Sequence, residues 1–252
     1  MRFWIIPVGG FHTRADVLDP SGDKNQWFDI PVYAYLADTG QGLVLFDTGC
    51  SHALRRDAAA ILGDGRAILT PVLEEADHVT SRIREMGFQP DDIDVVAVSH
   101  CHFDHAGGNE SFPAAEFWLQ EDEWDAANAP GSSETHYPDP AWRPVRPPRL
   151  LHGDTPLHPG LTLLATPGHT PGHQSLRVEL ADGPLLVTSD AVYARQFFDP
   201  AHIGAASDPE NARKSVERLR GFAAQGDRVF FSHDPRQAKE ADWVHLAPVP
   251  CR

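Results

Sequence analysis

Ser99-His100-Cys101-His102-Phe103-Asp104-His105-Ala106-Gly107-Gly108-Asn109 places three imidazoles and a carboxylate within six residues. The run follows Asp94-Val95-Val96-Ala97-Val98, whose apolar, β-branched character reads as a buried strand, and it ends in a Gly-Gly turn. The polar groups therefore sit where a strand gives way to a loop. Four such groups crowded at one strand end need a shared partner, and a divalent cation is the simplest one. Neutral imidazole with carboxylate suits Zn²⁺, Fe²⁺, Co²⁺ or Mn²⁺. His100 and His102 stand two apart, so in extended chain they point the same way and can grip one ion, while Cys101 turns to the core. Asp104 and His105 lie past the strand end and can aim at a second point, so two metals are expected.

Working outward, three more residues share the pattern of a ligand-type side chain just after an apolar strand. They are His169 after Leu161–Ala165, Asp190 after Pro184–Thr188, and His233 after Arg228–Ser232. Each is weak alone, but with the first cluster they make seven donors in order. His173 competes with His169 within Thr166-Pro167-Gly168-His169-Thr170-Pro171-Gly172-His173, and the pattern by itself leaves both open.

The remaining chain supplies strands and helices between these points. Strands are expected at 3–8, 31–36, 43–46 and 116–120, with residues 11–31 a long polar loop and residues 50–70 mixed helix and loop. Leu73, Ala76, Val79, Ile83 and Met86 recur at helical spacing up to Gly87. A short helix is expected over 121–128, a hairpin around Ala181-Asp182-Gly183, and a last long helix from Asp208-Pro209 to Gly226. Residues 128–149, rich in proline, read as a surface insertion without regular structure, either a plain loop or a wall over the site. Asp47-Thr48-Gly49 after an apolar strand could serve an aspartic protease, but that chemistry needs two such carboxylates and the motif occurs once.

Composition narrows the function classes. The 252 residues, 41% hydrophobic, suit one domain spanning 1–252 with a sizeable core. A formal net charge of −15 disfavours nucleic acid and anionic membrane as partners. The apolar N-terminal run is short and broken by Pro7, so it reads as a strand rather than a leader, and no stretch is long enough to span a membrane. Cys50, Cys101 and Cys251 are odd in number and far apart, which fits free thiols and a cytoplasmic setting.

The His-x-His-x-Asp-His run resembles the signature of the metallo-β-lactamase superfamily. The longer stretch Ser99–Asn109, together with Ile30-Pro31-Val32-Tyr33-Ala34-Tyr35-Leu36, Asp47-Thr48-Gly49, Thr166-Pro167-Gly168-His169, Asp190-Ala191-Val192-Tyr193 and His233-Asp234, resembles its N-acyl homoserine lactonase branch. The resemblance spans nearly the whole chain. It implies an α+β fold, the αββα sandwich of two mixed sheets packed face to face with helices outside. It also implies a division of the donors: His100, His102 and His169 on one metal, Asp104, His105 and His233 on the other, Asp190 bridging, and Asp47 supporting them from behind.

The same resemblance implies a mechanism. A hydroxide bridging the two ions attacks a lactone carbonyl, Asp104 returns a proton to the leaving alkoxide, and Tyr193 donates a hydrogen bond to the carbonyl oxygen as charge builds. The substrate is a neutral small lactone, so apolar wall is needed rather than a basic clamp, and Trp27, Phe28, Phe103 and the 62–72 loop are the candidates. The protein would act as a monomer or homodimer. Competing readings are hydrolysis of another lactone, a glyoxalase II-type thioesterase, a phosphodiesterase, a β-lactamase, and a metal-binding protein without catalysis.

Overall fold

The computed structural model describes residues 1–135, 137–237 and 249–250. The strands are β1 (Arg2–Arg14), β2 (Trp27–Asp38), β3 (Leu43–Phe46), β4 (Leu69–Val72), β5 (Ile93–Ala97), β6 (Glu116–Gln120) and β7 (Arg149–Leu151). They continue with β8 (Thr155–His158), β9 (Leu161–Ala165), β10 (Gln174–Val178), β11 (Leu185–Val187), β12 (Arg228–Phe230) and β13 (Val249–Pro250). One mixed sheet has the order β13-β1-β2-β3-β5-β6-β7 with β4 also on β1, and the other has the order β12-β11-β10-β9-β8.

Alternation along the strands decides how the layers stack. Phe3, Ile5, Tyr33, Tyr35 and Phe46 of the first sheet bury against Leu163, Leu176, Val187 and Phe230 of the second. The Phe230 ring meets Tyr33 edge-on at 5.1 Å and Tyr35 at 6.0 Å, contacts worth about 0.5–1.5 kcal/mol each beyond the area they bury. The intervening residues Trp4, Ile6, Val32, Ala34 and Leu36 point to the opposite face with Val79 and Ile83 of the helix Val79–Glu85. On the far side, Val216 and Leu219 of the helix Pro209–Ala224 join Leu164 and Leu186. The result is the expected αββα sandwich.

Five departures from the sequence reading have local causes. Residues 11–31 are not one loop: β1 and β2 run on as a hairpin arm pairing Phe11 with Ile30, His12 with Asp29 and Arg14 with Trp27. Phe11 and Ile30 are buried while His12 and Asp29 meet at 2.8 Å outside, so a period-2 pattern was present under a polar composition. Leu69–Val72 forms β4, which pairs with β1 through Gly10–Thr13. The helix expected from Leu73 begins only at Val79, because a capping box between Glu74 and Asp77 closes a separate turn and His78 is extended. The 128–149 insertion carries a helix at Ser132–Thr135 and a turn of 3₁₀ helix at Pro140–Trp142, the latter capped by Asp139. β7 and β8 were also unanticipated, each being short. Cys50 and Cys101 are buried free thiols, and Cys251 lies outside the described residues. Among the described residues no helix is long and apolar enough to cross a membrane.

Candidate metal centre

Strand ends from both sheets converge on one edge. β5 delivers residues 99–109, β9 leads to His169, β11 to Asp190 and β12 to His233. The two sheets are stitched there by buried polar contacts. Gln174 donates its backbone N–H to Ser99 O at 2.9 Å and its side chain to Val98 O at 2.8 Å, and Ser189 Oγ donates to Ser99 Oγ at 2.9 Å.

The seven predicted donors come together in three overlapping groups: His100, His102 and His169; His100, His105 and Asp190; and Asp104, His105 and His233. Within each group the donor atoms lie within 4.8 Å of one another. His169 Nε2 is 3.1 Å from His100 Nε2 and 3.0 Å from His102 Nδ1. Asp190 stands between the sets, with Oδ1 3.2 Å from both His105 Nε2 and His233 Nε2, and Oδ2 3.5 Å from His169 Nε2. Asp104 Oδ2 is 3.6 Å from both His105 Nε2 and His233 Nε2.

The outward nitrogens fix the direction of the inward ones. His105 Nδ1 donates to Asp47 Oδ2 at 2.9 Å, His233 Nδ1 to Pro31 O at 2.7 Å, and His100 Nδ1 to Ser99 Oγ at 3.0 Å. His169 Nδ1 faces Tyr193 Oη at 2.8 Å. In each ring Nδ1 carries the proton, leaving the Nε2 lone pair pointed inward, which is the tautomer a metal requires. His105 Nε2 is buried and makes no hydrogen bond despite the nearby carboxylate. A buried, unsatisfied lone pair facing two carboxylates and other imidazoles is what a divalent cation would satisfy, so the donor set fits two such ions.

Charge within the site is strongly coupled. Burial alone would lower the His105 pKa, but Asp190 and Asp104 reverse this and raise it well above the usual imidazole range, so a divalent ion at Nε2 would take the place of a proton that the same carboxylates attract. Burial alone would raise the Asp190 carboxyl, yet His105 and His233 hold it well below the ordinary carboxylate range. His100, surrounded by other imidazoles, is kept neutral by burial and by those neighbours.

Supporting residues fall where the sequence placed some of them. Asp47 has a left-handed backbone at φ 60°, and it accepts Ser99 N at 2.6 Å, Ser99 Oγ at 2.8 Å and His105 Nδ1. Its strained conformation is stabilised by these three donors. His173 is no ligand: Nε2 accepts the Asp190 backbone N–H at 3.1 Å and Nδ1 faces Thr166, with burial first among the causes that lower its pKa to about 3. Cys101 is buried in the core cluster as expected, although β5 ends at Ala97 and the residue lies beyond it.

The centre floors a cavity of about 820 Å³. Phe103, Phe11, Val17, Leu18, Ile30 and Leu69 form its apolar wall, Ala129 to Ser132 and Tyr137 of the insertion form another, and Asp104, Asp190, Tyr193, His102, His169 and His233 face it. Among the described residues no Lys or Arg lines it. Phe103 thus sits where the sequence reading put it, packed edge-on against Phe11 at 5.7 Å. Trp27 and Phe28 do not line the cavity. Trp27 is exposed and stacks on His12 at 5.2 Å, and Phe28 packs against the main core. Phe11, Ile30 and Phe28 share the inward face of the hairpin arm and Trp27 the outward one, and Phe28 packs on the core rather than lining the cavity. Of the 62–72 loop, Leu69 reaches the cavity, and Leu62 and Ile68 line a neighbouring one of about 520 Å³ that shares Phe103. Tyr193 overhangs the centre, but its hydroxyl is engaged, donating to Ala205 O at 2.9 Å and meeting His169 Nδ1.

One buried carboxylate escaped the sequence reading altogether. Glu123 opens a helix within the acidic run Glu121-Asp122-Glu123, a pattern indistinguishable from a solvated first turn.

Comparison with known proteins agrees with this geometry. The family model for the metallo-beta-lactamase superfamily matches residues 27–233. The chain is 32% identical over 243 residues to the N-acyl homoserine lactonase AiiA of Bacillus thuringiensis subsp. kurstaki, covering 94% of this chain and 95% of that one. It is 31% identical over 261 residues to the N-acyl homoserine lactonase AttM of Rhizobium radiobacter, covering 99% and 97%. Among solved structures, an N-acyl homoserine lactone hydrolase with the product N-hexanoyl-L-homoserine at its catalytic metal center superposes with a TM-score of 0.90 at 31% identity, covering 98% of each chain. Seven convergent donors on the edge of an αββα sandwich, with relatives matched over almost their full length, place the chain in the metallo-β-lactamase superfamily, and within it the chain belongs to the N-acyl homoserine lactonase family.

Proposed function

We propose that this protein is a dinuclear-metal hydrolase that opens the lactone ring of N-acyl homoserine lactones, with Zn²⁺ as its ion and with action in the cytoplasm as a monomer or homodimer. The observation that carries the reading is a set of seven donors in overlapping groups, with Asp190 between them, on the floor of a mostly apolar cavity that no Lys or Arg among the described residues lines. A neutral lactone with an acyl tail matches such a cavity. Phosphodiesters, β-lactam carboxylates and glutathione thioesters carry anions for which the described lining offers no Lys or Arg. The net charge of −15 and the buried free thiols Cys50 and Cys101 support the remainder of the reading.

His100, His102 and His169 would hold one ion, Asp104, His105 and His233 the other, and Asp190 would reach both. Bound there, divalent ions make hydroxide available near neutral pH and polarise a carbonyl. The chain's own groups do the rest. Phe103, Phe11, Leu18 and Ile30 bind the acyl tail and exclude water. Asp104 faces the cavity with one oxygen near both His105 and His233, and in this reading it takes up the proton released as water adds to the carbonyl and hands it to the ring oxygen as the ester C–O bond breaks. Tyr193 stays protonated, since burial and then the charges of Asp190 and Asp104 push its phenol up. Its hydroxyl can turn from Ala205 O to the substrate carbonyl as negative charge develops there.

A panel of N-acyl homoserine lactones, simple γ-lactones, a glutathione thioester, a chromogenic β-lactam and a phosphodiester tests this on metal-replete enzyme. Acyl homoserine lactones should give the highest kcat/KM. Turnover of the phosphodiester or thioester with no lactone opening would overturn the assignment.

A further inference from the structure

Of the three acidic residues that start the helix Glu121–Asn128, only Glu123 is fully buried, at 0% exposure. Its carboxylate accepts four hydrogen bonds. Oε1 takes the Cys101 backbone N–H at 2.9 Å and the Tyr137 hydroxyl at 3.2 Å, and Oε2 takes Thr170 Oγ1 at 2.6 Å and the Gly172 backbone N–H at 3.2 Å. Four donors use all four lone-pair directions and favour the carboxylate form, against burial, which raises its pKa above the ordinary carboxylate range. No Lys or Arg among the described residues pairs with it, and a buried anion satisfied only by neutral donors is costly unless its position serves something else.

The four donors belong to the two segments that carry the three-histidine cluster and to the insertion beside them. Cys101 separates His100 from His102, and Thr170 follows His169. Tyr137 lies in the cavity-lining insertion, its ring 5.5 Å from that of His102. Gly172 belongs to the same loop as His169, and a Cβ there would stand 2.1 Å from the Glu123 backbone nitrogen, so only glycine permits the approach. The Asp104, His105 and His233 cluster has different supports, namely Asp47 and Pro31 O.

We propose that Glu123 is a positioning residue of the three-histidine cluster: its carboxylate locks the His100-Cys101-His102 turn to the His169-Thr170 loop at the spacing one metal ion needs, and it leaves the second cluster to other supports. The proposal rests on the dinuclear reading above. It predicts an asymmetry that general stabilisation would not produce.

The test is Zn²⁺ titration of the apoprotein against a chromophoric chelator, in which wild type should show two binding steps. His169→Ala identifies which step belongs to the three-histidine cluster. Glu123→Gln keeps volume but turns an amide donor toward donors, and it should weaken that step by about 10–100-fold, the usual effect of losing an outer partner of metal-ligating histidine. The other step should keep wild-type affinity. Thr170→Val should weaken the same step to a smaller extent, and Thr170→Ser should restore it. Unchanged affinity at both steps in Glu123→Gln, or equal weakening of both in proportion to a fall in Tm, would overturn the proposal. If Glu123→Gln does not fold, the Val and Ser pair at 170 decides, and equal affinities in those two variants count against it. A wild-type protein that takes up no ion at the three-histidine cluster would overturn the dinuclear reading and this proposal with it. A wild type with two ions and an unaffected Glu123→Gln would overturn this proposal alone.

Discussion

Tyr193→Phe isolates the one hydroxyl that overhangs the centre without belonging to a metal ligand. The ring stays, with its edge-on contacts to His169 at 5.3 Å and Phe197 at 6.1 Å, so packing should be conserved. What is lost is a donor to Ala205 O and a partner for His169 Nδ1. Those two atoms already lie 3.3 Å apart. The imidazole N–H can therefore turn its bond onto the carbonyl, and neither group is left buried and unpaired. The stability cost should then be close to that of one neutral hydrogen bond, about 1 kcal/mol. Loss of one donor to a developing oxyanion costs up to about 10²–10³ in kcat, and sharing of that charge by the metals sets the expectation at the lower end, roughly 10-fold. The drop should appear in kcat and in kcat/KM alike, because the bond forms in the transition state. Steady-state kinetics on a single acyl homoserine lactone, with metal content and Tm measured in parallel, separates the roles. Full activity in Tyr193→Phe would refute the donor role. Lower activity that follows lost metal would show instead that the hydroxyl acts by holding His169.

Asp190→Ala should disturb both metal steps together, because its two oxygens face His105, His233 and His169; metal analysis showing two tightly held ions and near-wild-type turnover would exclude a bridging role. Phe230→Ala removes a ring fully buried between the sheets against Tyr33 and Tyr35 and should cost about 3–5 kcal/mol in denaturant unfolding; a loss under about 1 kcal/mol would mean the sheets do not pack there as described. His78 caps the helix Val79–Glu85 and stacks on His52 at 3.6 Å, and burial is the main cause that lowers its pKa to about 4. Its unfolded form takes up a proton near pH 6.5 and its folded form only near 4, so its contribution is complete above pH 6.5 and declines as pH falls through that window, by up to about 3 kcal/mol. His78→Asn, which retains a capping oxygen, should flatten the slope of unfolding free energy between pH 6.5 and 4; an unchanged slope would refute this linkage.

The metal-bearing run could be read from sequence because its information is local. Donors two apart on a strand end share a face, and no folded context is needed to see that His100 and His102 can meet. His169, Asp190 and His233 were legible for a related reason: each follows an apolar strand, and strand ends gather at sheet edges. The substrate wall was less legible. Trp27 is the largest ring of the arm, but which side chains face inward depends on the register of a hairpin that a polar composition concealed. Phe11 pairs with Ile30 in that register and both point to the cavity, while Trp27 pairs with Arg14 at the exposed end. A one-residue difference in phase exchanges the faces of a strand, so residue type alone could not decide it.

Glu123 was illegible for a stronger reason. Helix-start carboxylates are usually solvated, and nothing in Glu121-Asp122-Glu123 separates the third from the first two. Its burial is set by approach from elsewhere. Gly172, the second glycine of the Thr-Pro-Gly-His repeat, lets that loop close on the helix, just as Gly168 lets it close on the Ala212 backbone, 2.2 Å from a Cβ at 168. The two glycines fix the loop between two helices, and His169 stands between them. The position of a metal ligand is thus determined by where its neighbours have no side chain. Residues that bind reveal themselves by chemistry, whereas residues that position reveal themselves only by contact. The supports of this centre therefore had to be found in three dimensions, although its ligands did not.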